Sequence, residues 1–249
     1  MVSTVDPEAR HIHKNRSRHQ DGFKGHVSFE PETGLFTAVA LTGGSGPANH
    51  EAAVAAGLLA GEQEELTVLG DTAYGTGDLR ERLQSGGHAL VIKPPPLRPA
   101  VPGGFTVDDF TIDDQAGTVT CPAGNTVALS RTRVAAFGTL CRDCPLRARC
   151  TTCKTGRKLV LHPRDDLLRA ARADWAAGPG LREDYMAHRP NVERAVAQVA
   201  TWRGRRLKLR YRGTAKNHAW LKRRTAALNL RNLIGKGLTW QAGAWVLAT

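Results

Sequence analysis

The chain has 249 residues, of which 41% are hydrophobic, and its formal net charge is +12. This length and composition predict a soluble globular protein with one large domain or two modest ones. The apolar runs are much shorter than the roughly 20 residues that a membrane-spanning helix needs, and the polar N-terminus lacks the apolar region of a signal peptide. We therefore expect a cytoplasmic protein with no membrane partner.

The excess positive charge is concentrated near the C-terminus. Residues 186–236 contain 14 Lys or Arg and one acidic residue, Glu193, whereas the rest of the chain is almost neutral. A solvated helix face usually mixes charges of both signs, and this segment does not. The segment therefore predicts a polyanionic partner.

The first elements in chain order predict strands and helices in alternation. Residues 1–22 show no apolar periodicity and predict an extended or disordered basic arm. Residues 23–30 and 35–41 predict a β-hairpin, because the turn residues Pro31 to Gly34 separate two apolar runs. A helix is expected over residues 48–60, which are rich in Ala.

A short apolar strand over residues 66–70 ends on Asp71. Because open α/β sheets bind ligands at the carboxyl ends of their strands, Asp71 is a candidate site residue. The alternative is that Asp71 only caps the next segment, since Asp beside Thr is common turn chemistry. A helix over residues 76–84 and a buried strand over residues 89–92 follow.

A proline-rich segment, residues 94–104, precedes five cysteines. An odd number of clustered cysteines in a cytoplasmic chain argues for a thiolate zinc site rather than for disulfides. Cys121 begins a turn, Cys141 and Cys144 form a Cys-x-x-Cys pair, and Cys150 or Cys153 would complete tetrahedral coordination. We take the ligands as Cys121, Cys141, Cys144 and Cys150. Free buried cysteines remain the alternative.

The C-terminal part predicts helices over residues 165–176 and 181–187, then a helix with Pro190 in its first turn and Glu193 soon after. A ribbon with alternating cations follows over residues 202–213, and a last helix covers residues 219–234. The side chains expected to contact the polyanionic partner are Arg194, Trp202, Arg203, Arg205, Arg206, Lys208, Arg210 and Arg212.

Two carboxylates on rigid elements beside a basic segment indicate metal-assisted cleavage of phosphodiester bonds. Carboxylate oxygens are the ligands that Mg²⁺ prefers, and a pair of ions can activate the attacking group and stabilise the leaving oxygen. Asp71 and Glu193 are the candidate catalytic ligands of Mg²⁺, or of Mn²⁺.

Several motifs together are similar to one family. They are Val68-Leu-Gly-Asp71-Thr-Ala-Tyr74-Gly, Ile92-Lys-Pro-Pro-Pro-Leu-Arg-Pro, Cys121-Pro-Ala-Gly, Cys141-Arg-Asp-Cys-Pro-Leu-Arg-Ala-Arg-Cys150 and Arg189-Pro-Asn-Val-Glu193-Arg. From about Val5 to Leu238 the chain resembles the DDE-type transposases of bacterial insertion sequences.

The resemblance implies an α/β fold, with an RNase H-like mixed sheet and flanking helices interrupted by a small β-rich zinc-binding insertion. It implies that Asp71 is the second and Glu193 the third acid of the catalytic triad. The implied partner is double-stranded DNA, at the element ends and the target, in the nucleoid. A homodimer on DNA is left open.

Four segments are expected on this basis. They are a basic arm (1–22), the first part of the catalytic core (23–93), the proline-rich linker with the cysteine insertion (94–162), and the helical C-terminal part of the core with the basic segment (163–240).

The sequence departs from the family pattern at two places. Many members carry Tyr, Arg, Glu and Lys around the third acid; Tyr185, Arg189 and Glu193 match, but the position of the Lys is Ala200. Arg203 or Lys208 are candidates to replace it.

The second departure is that no strand before Phe23 is predicted to carry the first Asp, and Asp6 and Asp21 are expected to be surface carboxylates. We therefore expect an N-terminally truncated or split transposase that is inactive alone. The alternatives are a non-catalytic zinc-containing DNA-binding remnant and a zinc-stabilised DNA-binding module unrelated to transposition.

Overall fold

An antiparallel three-stranded sheet opens the computed structural model, which describes residues 3–15 and 18–247. Its strands β1 (Arg10–Asn15), β2 (Arg18–Glu30) and β3 (Leu35–Gly43) lie in the order β1-β2-β3. Gly34 has a φ of 72° in the β2–β3 turn, and its N–H donates to the Glu30 carbonyl at 2.8 Å. The predicted hairpin is confirmed, and both of its strands are longer than expected.

The segment predicted as a basic arm belongs to this sheet. β1 pairs with the first residues of β2, with Arg10 opposite Gly22 and Ile12 opposite Gln20. A two-stranded ribbon at the edge of a sheet needs no alternation of apolar residues, which explains why no strand is predicted there from the sequence. The parts of the predicted arm at residues 1–2 and 16–17 lie outside the described residues.

A helix-strand unit follows. It consists of α1 (Glu51–Leu58), β4 (Thr67–Gly70), α2 (Gly77–Ser85) and β5 (Ala89–Ile92). β4 and β5 are parallel, and the helix between them packs on them through Leu79 and Leu83, which are almost completely buried beside Ile92. Each of these four elements was predicted within a few residues of its observed bounds.

The single mixed sheet that was expected is not what the described strands form. β2 is hydrogen-bonded to β1 and β3, whereas β4 is hydrogen-bonded only to β5. The result is one antiparallel and one parallel sheet, because no described strand pairs with both β2 and β4. The fold is therefore α/β with several small sheets.

The cysteine segment forms short strands around a core of its own. Its elements are β6 (Thr111–Asp113), β7 (Thr118–Thr120), β8 (Thr126–Ala128), β9 (Val134–Ala136), α3 (Arg147–Cys150) and β10 (Lys158–Val160). Phe110, Val119 and Phe137 are buried in this core, which shares no buried residue with the core around Leu79. We call residues 105–162 the insert.

Helices dominate the C-terminal part. The elements are α4 (Asp165–Ala177), α5 (Pro179–Ala200), β11 (Thr201–Trp202), β12 (Arg205–Arg206), α6 (Thr214–Gly235), β13 (Thr239–Gln241) and β14 (Ala244–Val246). α6 lies along β3, where the Asn229 side chain accepts from the Phe36 N–H and donates to the Phe36 carbonyl, both at 2.9 Å. No helix in the described part is long and apolar enough to cross a membrane.

The insert is joined to the rest of the chain by α4 and by one turn. Arg172 donates two hydrogen bonds to the Asp108 carboxylate, and Arg169 donates to the Val107 carbonyl at 2.6 Å.

The chain also passes one turn twice, before and after the insert. The segment that leaves β5 passes Gly75, and the segment that enters α4 passes Gly77. A Cβ on Gly75 would lie 2.8 Å from the Lys93 carbonyl oxygen, and one on Gly77 would lie 2.7 Å from the His162 ring.

Candidate functional site

Asp71 lies immediately after β4 and caps the turn that follows. Its backbone is extended, and its Oδ1 accepts from the Ala73 N–H at 2.9 Å, so it caps the short 3₁₀ turn Thr72–Tyr74. The carboxylate is exposed at the strand end, as the sequence predicted. Burial, followed by the charges of Asp71 and Glu51, raises the pKa of the nearby Tyr74 to about 12, so this phenol stays protonated.

Glu193 lies deep in a helix and not in its first turns. α5 begins at Pro179 and continues through Pro190, so the two predicted helices are one. Pro190 lacks an N–H and costs one helical hydrogen bond, but the helix on both sides is long enough to carry it. The signal was misinterpreted because Pro is more common in a first turn than inside a helix.

Glu193 belongs to a hydrogen-bonded row along α5. Arg189 donates from Nε to Glu193 Oε1 at 2.7 Å and from Nη1 to the Tyr185 hydroxyl at 3.0 Å. Tyr185 is buried and packs edge-on against Trp175 of α4, with ring centroids 5.5 Å apart. The bond to Glu193 is the main reason that the pKa of Arg189 is raised. The buried tyrosine therefore orients an exposed arginine and carboxylate.

The two carboxylates lie on elements that are neighbours through β5. α5 packs against β5, and β5 is the hydrogen-bonded partner of the strand that ends at Asp71. Among the described residues, no hydrogen bond or ion pair joins Asp71 to Glu193. Asp71 accepts from Ala73, and Glu193 accepts from Arg189.

Arg224 is a positioning residue that the sequence analysis missed. Its guanidinium donates to the carbonyls of Gln198, Val199 and Thr201 at 2.6–2.7 Å, at the C-terminal end of α5. A cation there meets the free carbonyls and the negative end of the helix dipole. Arg224 belongs to α6, so the contact spans elements that are distant in sequence, and no local pattern predicts it.

The basic segment, residues 203–212, is exposed but is not the ribbon that was predicted. β11 and β12 pair for two residues only, around a turn in which Arg203 and Gly204 both have positive φ. After Arg206, residues 207–210 have no regular structure, so the alternating cations do not share one strand face. All seven predicted cations are exposed, as is the Trp202 ring, which Arg203 covers at 5.9 Å. The cations are Arg194, Arg203, Arg205, Arg206, Lys208, Arg210 and Arg212.

Asp6 is not the ordinary surface carboxylate that was expected. Its Oδ2 accepts from the Gly213 N–H at 3.0 Å, and Glu8 accepts from the Thr214 N–H at 2.9 Å. The two acids therefore hold the N-terminus of α6, at the end of the basic segment. The hydrogen bonds from Thr214 lower the pKa of Glu8. Asp21 is exposed and pairs with His11 across β1 and β2.

Four cysteines of the insert line one small cavity. Cys121 begins a tight turn after β7, Cys141 ends a 3₁₀ turn, and Cys150 ends α3, with Cys144 between the last two. The cavity is about 20 Å³ in volume and is otherwise lined largely by apolar side chains. Burial raises the pKa of Cys150.

Cys153 lies outside this cavity. It is exposed, and a hydrogen bond with the Thr155 hydroxyl, at 3.2 Å, lowers its pKa. Within the described ranges, no three His, Cys, Asp or Glu side chains are already arranged closely enough to hold a metal ion. The four cysteines line the same cavity but do not form such a group.

Comparison with known proteins gives one match. Residues 120–234, just under half of the chain, match the family model described as Transposase DDE domain. The matched range contains Glu193, the five cysteines and the basic segment, and it does not contain Asp71. No curated protein and no solved structure matches. The C-terminal half of this chain is therefore similar to the DDE domains of transposases.

Proposed function

We propose that this chain acts in DNA transposition, through metal-dependent cleavage and transfer of DNA strands. The observation that carries the proposal is the match of residues 120–234 to the transposase DDE domain, within which Glu193 is held on a rigid helix just before an exposed basic segment. Transposases act on DNA, and phosphates are the natural partner of a segment with this charge.

Transposase DDE domains generally use divalent ions such as Mg²⁺. Asp71 and Glu193 are the proposed ligands, because both are exposed carboxylates on elements that meet at β5. Among the described contacts Asp71 engages only Oδ1, which leaves Oδ2 for an ion, and Arg189 holds Glu193 by Oε1. The bound ions would stabilise charge on the attacking and leaving oxygens.

The proposal includes a limit on this chain alone. A two-ion reaction needs enough carboxylate oxygens to hold both ions in line, and Asp71 with Glu193 supply too few. Asp6 accepts a hydrogen bond at the start of α6 and Asp21 pairs with His11, so both acids already have partners elsewhere. We therefore expect the chain by itself to bind DNA without cutting it.

Zinc is the second metal of the proposal. It would stabilise the insert and take no part in the phosphoryl transfer, because the cavity between the four cysteines belongs to the core of the insert and not to the α5–β5 contact.

The direct test is a nicking and strand-transfer assay with Mg²⁺ or Mn²⁺, on DNA that carries the element's own ends. The chain is assayed alone and with an upstream extension that supplies a further acidic strand. We expect cleavage only in the second case, lost on Asp71→Asn or Glu193→Gln and retained in Glu183→Gln, an exposed acid on the same helix. Cleavage that survives Glu193→Gln would refute the assignment.

DNA binding separates the remaining alternatives. The exposed cations should contact phosphates without reading bases, so Lys208→Gln should weaken binding to all sequences alike and lower the salt slope by about one unit. Binding without cleavage by every form of the chain would favour a non-catalytic remnant. If the chain showed no salt-dependent binding to DNA, that result would contradict both the transposase and the non-catalytic remnant.

A further inference from the structure

The β13–β14 hairpin has no buried face. Its strands pair around a two-residue turn at Ala242 and Gly243, where both residues have positive φ. Every residue from 239 to 247 is exposed, and the Leu238 N–H ties the hairpin to α6 by donating to the Leu233 carbonyl at 2.9 Å. A two-stranded hairpin alone is only marginally stable in water. This hairpin is therefore an element that contact with a further surface would stabilise.

The exposed side chains of the hairpin are mainly apolar. Trp240 lies opposite Trp245, and the two rings pack edge to face with centroids 5.3 Å apart. The two indoles are still 59% and 62% exposed, and Val246 and Leu247, which follow in the chain, are 41% and 44% exposed. A single exposed Leu is ordinary, but two Trp, one Val and one Leu on one short element form an apolar patch. Such patches mark contact sites with other molecules.

Both edges of the hairpin are free among the described strands, since β13 and β14 pair only with each other. The pair that flanks the turn, Gln241 and Ala244, is hydrogen-bonded, so the next pair, Trp240 and Trp245, is of the non-hydrogen-bonded kind. The backbone N–H and C=O groups of both tryptophans therefore point away from the hairpin. Natural sheets protect such edges with charges or proline, and neither of these strands contains either.

Charge favours a second copy of this chain over other partners. Residues 237–247 contain no charged residue, although the chain has a formal net charge of +12. Two copies repel each other wherever their basic surfaces meet, and the uncharged hairpin is a place where they can touch without that repulsion. Nucleic acid finds no counter-charge on the hairpin. The basic segment lies at the other end of α6, which has 22 residues and is therefore about 33 Å long.

A second copy also matches the geometry of the free edge. An antiparallel edge can pair with itself across a two-fold axis, because each residue then meets a residue of the same strand. On the β13 side, the next outward N–H is that of Leu238, which already donates to α6. The β14 edge is the one that remains. Trp245 and its equivalent in the second copy would exchange two N–H to C=O hydrogen bonds there.

We propose that the β13–β14 hairpin is a dimerisation surface, which binds the same hairpin of a second copy through the edge of β14. The product is a four-stranded antiparallel sheet. The contact involves neither DNA nor a metal ion, so it is independent of the proposed reaction. Because each strand has only three residues, the contact is smaller than the roughly 800 Å² per partner of a standard interface, and the dimer is weak and reversible.

Sedimentation velocity of the full chain over a range of concentrations measures the association. The wild type should shift from monomer to dimer, and Trp245→Lys should raise the dissociation constant at least about 10-fold, because it removes a central aromatic side chain and adds a charge. Val160→Lys is the matched control, since it adds the same charge to an exposed residue of another strand and should leave the dimer unchanged. A wild-type chain that is monomeric at all concentrations, or equal dissociation constants in the two variants, would overturn the proposal.

A second variant separates loss of the contact from loss of the hairpin. Leu247→Pro removes an outward N–H from the β14 edge and no hydrogen bond inside the hairpin, because outward groups alternate along the strand from Trp245. Its near-ultraviolet circular dichroism should keep the signal of the paired indoles while the dimer weakens. A dimer as strong as that of the wild type would contradict pairing through β14.

Salt distinguishes the dimer from binding to DNA. Because two copies of this basic chain repel each other, added salt should strengthen the dimer, whereas it weakens binding to DNA. An association that weakens with added salt would overturn the proposal. Weaker DNA binding in Trp245→Lys with no change in oligomeric state would also overturn it, and would assign the hairpin to nucleic acid.

Discussion

At the scale of single residues, the acids near the N-terminus have an unexpected structural role. Asp6 and Glu8 accept hydrogen bonds from the first N–H groups of α6, which lies more than 200 positions away in sequence. Acidic side chains at a helix N-terminus satisfy free donors and interact favourably with the helix dipole. They therefore fix the point at which the basic segment ends and α6 begins.

This role predicts a pH dependence. The pKa of Glu8 is lowered in the folded chain, so its stabilising effect is complete above the unfolded pKa and is lost as the pH falls through the folded value. Glu8→Gln should therefore melt at a lower temperature than the wild type at neutral pH, and the difference should shrink in acid. Thermal melts at several pH values test this; a difference that grows in acid would contradict it.

At position 75 only glycine fits without strain, because the backbone of Lys93 lies close to its Cα. Since a Cβ there would meet the Lys93 carbonyl oxygen at 2.8 Å, Gly75→Ala should destabilise the chain by about 1–3 kcal/mol, as overpacking against backbone does. Gly57→Ala is the matched control, because Gly57 lies in α1 with open space around it. Gly57→Ala should leave the free energy of unfolding unchanged or increase it. Urea unfolding of both variants is the measurement.

At the scale of elements, α5 is held at both ends by contacts outside itself. Tyr185 packs under its first half against Trp175, and Arg224 binds the carbonyls at its C-terminal end. Glu193 lies between these two contacts. The orientation of the exposed carboxylate therefore depends on α4 and α6 as much as on its own helix.

Removal of the C-terminal contact should be measurable. Arg224→Ala should lower the free energy of unfolding by about 1–3 kcal/mol, because three carbonyls lose a charged donor. Arg223→Ala changes an exposed neighbour on the same helix and should have little effect. Equal losses of unfolding free energy in the two variants would show that the hydrogen bonds from Arg224 to α5 do not stabilise the chain.

The sequence predicted the elements better than their connections. Strands β4 and β5 and helices α2 and α4 follow clear apolar periods and caps, so their bounds were close. The continuous α5 was missed because Pro190 resembles a helix start, and the ribbon after Arg206 was wrong because alternation of charge does not create strand partners. Asp71 was placed correctly at a strand end, whereas the contacts of Asp6 and Arg224 depend on tertiary packing that no local pattern contains.

At the scale of the whole molecule, the insert has a core of its own, and the chain before its linker and the chain at its end both pass one turn. The chain leaves β5 past Gly75 and returns past Gly77, two positions apart, and the insert has its own buried core. Its other attachments are to α4, through Arg169 and Arg172.

This arrangement predicts that the insert can be removed. Replacement of residues 96–162, which are the insert and most of the proline-rich segment before it, by a short Gly/Ser linker should leave a folded remainder. Its melting temperature should be lower because Arg169 and Arg172 lose their partners on the insert. Circular dichroism and a cooperative thermal transition are the readouts. If the remainder failed to fold with linkers of several lengths, the result would show that folding of the β1-β2-β3 and β4-β5 sheets requires the insert.

A module whose two ends meet at one turn also has a consequence for how such a gene can change. A single in-frame insertion or deletion at this point would change the length of the encoded chain by tens of residues, and the paired residues of β4 and β5 lie outside it. Two copies of the gene could therefore differ greatly in length between β5 and α4 and still encode the same pairing of β4 with β5.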